Sequence, residues 1–175
     1  MCYLIFSFKE KNFNVTLEDV SRDMGMLSLQ GPKSKEILEK LTDTDLNQFP
    51  FSTCQWIKVA GHTVLALRVS FVGEMGWELH IPKEHCVNVY RSLIETGKPF
   101  GLVNAGYRAI DSLSIEKGYP HWHQEIRMDD NPFEAGLAFT CKLKSDVPFQ
   151  GRAALEHMRG KGLAKKKVCF TLDDK

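Results

Sequence analysis

The 175-residue sequence has no apolar run long enough to span a bilayer, so no membrane segment is expected. It also lacks an excess of charge of either sign: 23 basic and 22 acidic residues leave a formal net charge of +1. That balance removes the electrostatic footprint of a nucleic-acid binder. The one dense cationic run, Lys165-Lys166-Lys167, reads as a solvated linker or a strand entry. Cysteine is scattered, and the five residues (Cys2, Cys54, Cys86, Cys141, Cys169) form no C-x-x-C pair. Their odd number and spacing argue against a disulfide framework and a zinc site alike, and fit reduced thiols in a non-secreted protein. The opening MCYLIFSFKEK has neither a basic leader nor a small-residue cleavage site, so no signal peptide is expected. The phosphate-cradling loops G-x-G-x-x-G and G-x-x-x-x-G-K-[ST] are missing, as is the nucleophile elbow G-x-S-x-G. No internal repeat or low-complexity tract is present.

What is present is an ordinary globular composition, 43% hydrophobic and 26% charged, in a chain long enough for one cored domain or one domain and part of another. Met24–Gln30 reads as a strand, and Gly31-Pro32 opens a helix over Lys33–Leu41 with Ile37, Leu38 and Leu41 on one face. Cys54–Ala60 and Thr63–Val69 read as strands of a hairpin around Gly61-His62, and a third strand ends at Pro82. Glu84–Glu95 is amphipathic, with Val87, Tyr90, Leu93 and Ile94 on one side and Gly97 as a left-handed cap. Ala105–Lys117 is a further helix, with Ala109, Ile110 and Leu113 toward the core and Gly118 at its end. Phe133–Leu143 is expected as a strand, Gly151–Arg159 as a helix and Val168–Leu172 as the start of another strand. Helices and strands mix without regular βαβ alternation, so the expected class is α+β, with mixed or antiparallel sheets and packed helices.

Two groups of residues invite chemistry. In a strand, His121 and His123 would share a face with Glu125 and could hold a metal, but nothing beyond Cys141 offers a fourth ligand. No metal is therefore expected, and these histidines read as polar loop or hydrogen-bonding groups. The segment SFVGEMGWELHI is more informative: alternation puts Trp77 and Leu79 on one face and Glu78 with His80 on the other. Pattern alone favours water for the Glu78 face. The alternative is a cavity, where a carboxylate accepts two parallel N–H bonds from an amidine-like heterocycle. Glu74 reads as a solvated turn residue. Arg108 and Asp111, a turn apart, read as an ordinary intrahelical ion pair.

Four blocks in order, SFVGEMGWELHIP, GLVNAGYRAIDSLSIEKGYPHWHQEI, DDNPFEAGLAFTCKLK and FQGRAAL, resemble the aminomethyltransferase-like folate-binding domain. That domain is shared by sarcosine dehydrogenase, dimethylglycine dehydrogenase and the glycine-cleavage T-protein. The likeness runs from about Phe13 to Leu172, and NAGYRAIDSLSIEKGY followed by HWH is most similar to the sarcosine dehydrogenase group. The resemblance implies a truncated domain of that fold over residues 13–164. It leaves 1–12 as a non-matching segment and 165–175 as the start of a barrel-like module.

It also implies tetrahydrofolate as cofactor. The second acid of the GExGxE block, Glu78 here, then hydrogen-bonds the pterin, with Phe71 and Phe139 as aromatic walls and Leu79 and His80 continuing the binding strand. Family tyrosine hydroxyls are lost at Phe71. The T-protein arginine of ARDSL falls on Ile110, and Arg108 is only a displaced substitute. No catalytic residue is implied within these blocks, because the acid near the reactive folate nitrogen is expected upstream. FAD belongs to a flavin domain in cis that is missing here, and folate binding by residues 1–175 alone is expected to be weak or nil. The implied reaction passes the one-carbon unit of oxidised sarcosine, a methylated amine, to tetrahydrofolate, giving methylene-tetrahydrofolate and glycine in the mitochondrial matrix. Two alternatives are a noncatalytic module of the same fold, like the pyruvate dehydrogenase phosphatase regulatory subunit, and a T-protein-like aminomethyltransferase.

Overall fold

The computed structural model describes residues 14–173, so the expected boundary after residue 12 lies outside the described residues. The chain divides into two compact units, one up to Gly106 and one from Tyr107 onward. The first is built on a four-stranded antiparallel sheet of β1 (Met24–Gln30), β2 (Cys54–Val59), β3 (His62–Leu67) and β4 (Gly76–Pro82). Its order is β1-β4-β3-β2, so β4, the strand of the GWELHIP block, has neighbours on both sides. The expected α+β class holds, and the sheet is wholly antiparallel.

Alternation is followed on all four strands. Trp77, Leu79 and Ile81 of β4 are fully buried, together with Val64 and Ala66 of β3, Ile57 and Val59 of β2 and Leu29 of β1. Helix α1 (Ser34–Glu39) and helix α2 (Cys86–Gly97) cover this inner face with Ile37, Leu38, Val89 and Leu93, while Leu46 and Phe49 close one end. The Phe49 ring meets Trp77 edge-on at 6.4 Å. The β2–β3 turn is Ala60-Gly61 rather than Gly61-His62. Both residues have positive φ (51° and 81°), the backbone a two-residue hairpin loop needs to match strand twist.

Two expectations for α2 are corrected. Its inward stripe is Cys86, Val89, Leu93 and Gly97, and Val87 is exposed. Gly97 is not a left-handed cap: it sits at φ −80° within the helical run, and Gly101 (φ 79°) makes the left-handed turn that follows. A Cβ at Gly97 would overlap the Leu102 side chain, so the glycine serves close packing. Smallness at 86 and 97 rotates the packed face away from the larger residues that set the sequence pattern.

The second unit contains α3 (Tyr107–Glu116) and α4 (Arg152–Lys161). Gly118, at φ 68°, ends α3 as expected. Residues 133–143 are not a strand but turns and a short 3-10 helix, Ala138–Thr140. The cause is a capping box: Asn131 Oδ1 accepts from the Phe133 and Glu134 N–H groups, and Glu134 reaches back to the Asn131 N–H at 3.4 Å. No strand forms over 168–172 either; Lys167 N–H instead donates to the Glu134 carbonyl at 2.9 Å.

Candidate functional site

The loop before β4 is fixed at both ends by side chains. Ser70 Oγ accepts from the N–H groups of Val72 and Glu74 (3.3 and 3.0 Å), a local turn that leaves Val72 buried and Phe71 57% exposed. The Met75 carbonyl accepts from Gly31 N–H (2.8 Å) and Ser34 Oγ (2.9 Å), tying the loop to the start of α1. Glu74 lies in this loop as expected but is half-buried rather than fully solvated.

Gln30 is a contributor that local pattern did not reveal. Its Nε2 donates to Val69 O (3.2 Å) and to Ser28 Oγ (3.1 Å), which leaves its carbonyl oxygen buried over Gly76. A Cβ at Gly76 would overlap that oxygen and crowd the Leu29 carbonyl, so the last glycine of the Gly-Glu-Met-Gly turn lets β1 and β4 pair there. A polar side chain closing an alternating strand just before Gly31-Pro32 was the available signal. Its partner, 39 residues away, was not readable.

Glu78 sits mid-strand between Ser28 of β1 and Leu67 of β3; His80 sits between Met26 and Leu65. The Glu78 side chain is 25% exposed, which places it in neither open water nor the core. Among the described residues no group donates a hydrogen bond to its carboxylate. His80 Nε2 approaches Oε2 at 3.8 Å, beyond hydrogen-bond length, and is itself buried without a partner. The same outer face carries Met26 and Trp56, both exposed, and the half-buried Leu65 and Leu67. It is a largely apolar surface with a carboxylate–imidazole pair near its middle. Leu79 belongs to the opposite face and is fully buried, so it supports the site through the strand and the core and not by side-chain contact with a ligand.

Arg108 and Phe139 lie in the second unit. Arg108 is exposed on α3, and Asp111 pairs not with it but with His121, whose Nδ1 is 3.6 Å away. Phe139 is 82% exposed in the 3-10 turn, beside an open cavity of about 590 Å³ lined also by Phe133, Leu143, Lys142, Lys144 and Arg159. His121 and His123 lie in a tight turn rather than a strand, where Glu125 Oε2 accepts from His121 N–H at 2.7 Å. Shared strand faces therefore do not apply to them. Among the described residues, no three His, Cys, Asp or Glu side chains are grouped to hold a metal ion. In the same unit Lys165 hydrogen-bonds Asp130, which holds the Asp130 carboxyl below its ordinary range. The Asp130 and Asp129 carboxylates in turn raise Lys165.

With this geometry in view, the comparisons with known proteins are informative. Residues 4–145 match the GCVT N-terminal domain family. The chain is similar to human mitochondrial sarcosine dehydrogenase, 62% identical over 161 residues, covering 91% of this chain and 18% of that protein. It is similar at 36% identity over 162 residues to human mitochondrial dimethylglycine dehydrogenase, covering 91% of this chain and 19% of that protein. An aminomethyltransferase of Caldanaerobacter subterraneus is 40% identical over 161 residues, 43% of its own length. Among solved structures, the heterotetrameric sarcosine oxidase of Corynebacterium sp. U-96 overlaps 52% of this chain and 46% of its own, with a TM-score of 0.45 and 22% identity. The chain thus spans less than a fifth of the two dehydrogenases. By the match across most of its length, it belongs to the GCVT family and represents that family's N-terminal domain.

Proposed function

We propose that this chain is the tetrahydrofolate-binding portion of a sarcosine dehydrogenase, and that Glu78 anchors the pterin. The observation that carries the reading is a half-buried carboxylate with no hydrogen-bond donor among the described residues, on a largely apolar sheet face. Such a group fits the N–H-rich edge of a pterin, which offers two parallel donors to one carboxylate. The apolar surroundings suit the faces of the heterocycle, with Phe71 at the loop as a further aromatic contact. His80 completes the proposed set in the first unit and Leu79 supports it from behind, while Phe139 and Arg108 of the second unit are proposed on the family resemblance alone.

The 62% identity to a sarcosine dehydrogenase supports the choice of enzyme, and the mitochondrial names of both dehydrogenase relatives support a mitochondrial location. Tetrahydrofolate, when bound, supplies the nitrogen nucleophile that captures the one-carbon unit of the oxidised methylated amine. The residues described here bind, orient and exclude water; they do not perform the oxidation, which in this reading belongs to a flavin domain of the same polypeptide. Orientation of this kind contributes by holding the nucleophile beside a short-lived electrophile. The test is titration of tetrahydrofolate into the longest polypeptide the gene encodes. Glu78→Ala is expected to weaken binding by about tenfold or more, the scale of a lost charge-assisted contact. Unchanged affinity would remove Glu78 from the site, and failure of the unmutated protein to bind would overturn the assignment.

A further inference from the structure

The pairing of Glu78 with His80 deepens the folate reading and rests on it. His80 Nε2 is buried, makes no hydrogen bond among the described residues and lies 3.8 Å from Glu78 Oε2. The cross-strand neighbours of His80 are Met26 and Leu65, and those of Glu78 are Ser28 and Leu67. The next residues on this face, Met24, Thr63 and Pro82, carry no charge either. Lys58, across the hairpin from Thr63, and the exposed Asp23–Lys83 pair at the ends of β1 and β4 are the nearest further charges on the sheet. Within the sheet, Glu78 is therefore the only charged group beside His80.

We propose that His80 is a positioning residue that takes up a proton when folate covers this face, so that Glu78 anchors the pterin as half of a neutral pair. A lone carboxylate sealed between Leu67, Leu65 and Met26 is costly once water is excluded, whereas a carboxylate–imidazolium pair is much less so. Imidazole is the side chain able to gain a proton near neutral pH. The proton comes from solvent and stays on the ring. Nε2–H then donates to one lone pair of Glu78 Oε2, which fixes the carboxylate and leaves Oε1 and the second lone pair of Oε2 to the two pterin donors. By linkage, affinity for tetrahydrofolate rises as pH falls from 8 to 6.

The test is anaerobic isothermal titration of tetrahydrofolate into the longest polypeptide the gene encodes, at several pH values and in buffers of different ionisation enthalpy. The unmutated protein is expected to take up part of a proton per ligand at pH 7. Its affinity should change by up to about tenfold per pH unit, the limit for a single linked proton. H80Q is expected to lose the uptake and flatten the profile, while H80K, charged throughout, is expected to be flat yet tighter than H80Q. A flat profile without uptake in the unmutated protein overturns the proposal, as does uptake that persists in H80Q. E78A separates the two claims. If the unmutated protein does not bind, the folate reading itself fails; if E78A binds as well as the unmutated protein, Glu78 is not the anchor and the pair falls with it; if E78A weakens binding while no proton is taken up, only the role of His80 fails.

Discussion

The unit up to Gly106 encloses fourteen contiguous buried hydrophobic residues between one sheet face and two helices. Among its described residues, the unit from Tyr107 onward buries only Ile126 and Ala135 of its hydrophobics. It leaves Tyr107, Met128, Phe139, Phe170 and Leu172 each more than four-fifths exposed. The two are built from similar stock, since both have amphipathic helices and tightly capped turns. What separates them is a sheet. Four strands give the first unit a continuous surface on which apolar residues from distant segments converge, whereas the second is held by local devices such as the Asn131–Glu134 capping box and the Arg152–Glu156 pair at 3.0 Å. Local hydrogen bonds order a backbone without removing much apolar area from water. The half-buried Glu78 face belongs to the first kind of construction and can hold a rigid geometry; Phe139 belongs to the second.

The contrast breaks first on large-to-small substitutions. Trp77→Ala empties the centre of the first core and is expected to cost about 3–5 kcal/mol in denaturant unfolding. Phe139→Ala should stay within about 0.5 kcal/mol, as an exposed side chain does. Comparable losses would erase the distinction. A smaller effect is expected at the β1–β4 crossing, where Gly76→Ala drives a methyl group into the Gln30 amide and should destabilise by about 1–3 kcal/mol. Because the clash is shared, Gly76→Ala in a Gln30→Ala background is expected to cost measurably less than the sum of the two single changes, read by a double-mutant cycle.

The smallest effect concerns pH and the second unit alone. Asp130 is depressed by the hydrogen bond from Lys165 and then by the Arg127 N–H, so its contribution is present above the ordinary carboxylate range and fades as pH falls through it. Lys165 is raised by the same pair, so its contribution holds below the ordinary lysine range and fades as pH rises beyond it. Lys165 is exposed and Asp130 half-buried, so salt should mute the effect in part. Protection of the amides at 127–134, taken relative to their intrinsic exchange rate at each pH, is expected to fall at acid pH in the unmutated protein and to lose that acid dependence in Lys165→Met.

Much of the first unit was legible because its strands obey a period of two and its punctuation is local. The limits of β1, the hairpin and the opposed faces of Trp77 and Glu78 all follow from short-range pattern. The misreadings share a cause. A stripe drawn through the larger residues of α2 misses Cys86 and Gly97, which close packing against distant elements selects. The segment 133–143 carried a strand-like run of apolar residues, yet Asn131 and Glu134 had already committed the backbone to a turn. The letters of that capping box stand in the sequence, beside an apolar run that reads as a strand. At the site, alternation found Glu78 and His80, but neither the long-range hold of Gln30 nor the half-burial of the pair could be read from it.

The most direct test of the central claim compares the unmutated protein with Glu78→Gln, which keeps the shape of the side chain but removes its charge and one acceptor. Tetrahydrofolate binding should weaken by about tenfold to a hundredfold, the range for a charge-assisted bidentate contact, with the melting temperature unchanged. Equal affinity in the two proteins would contradict the assignment of Glu78 as the pterin anchor.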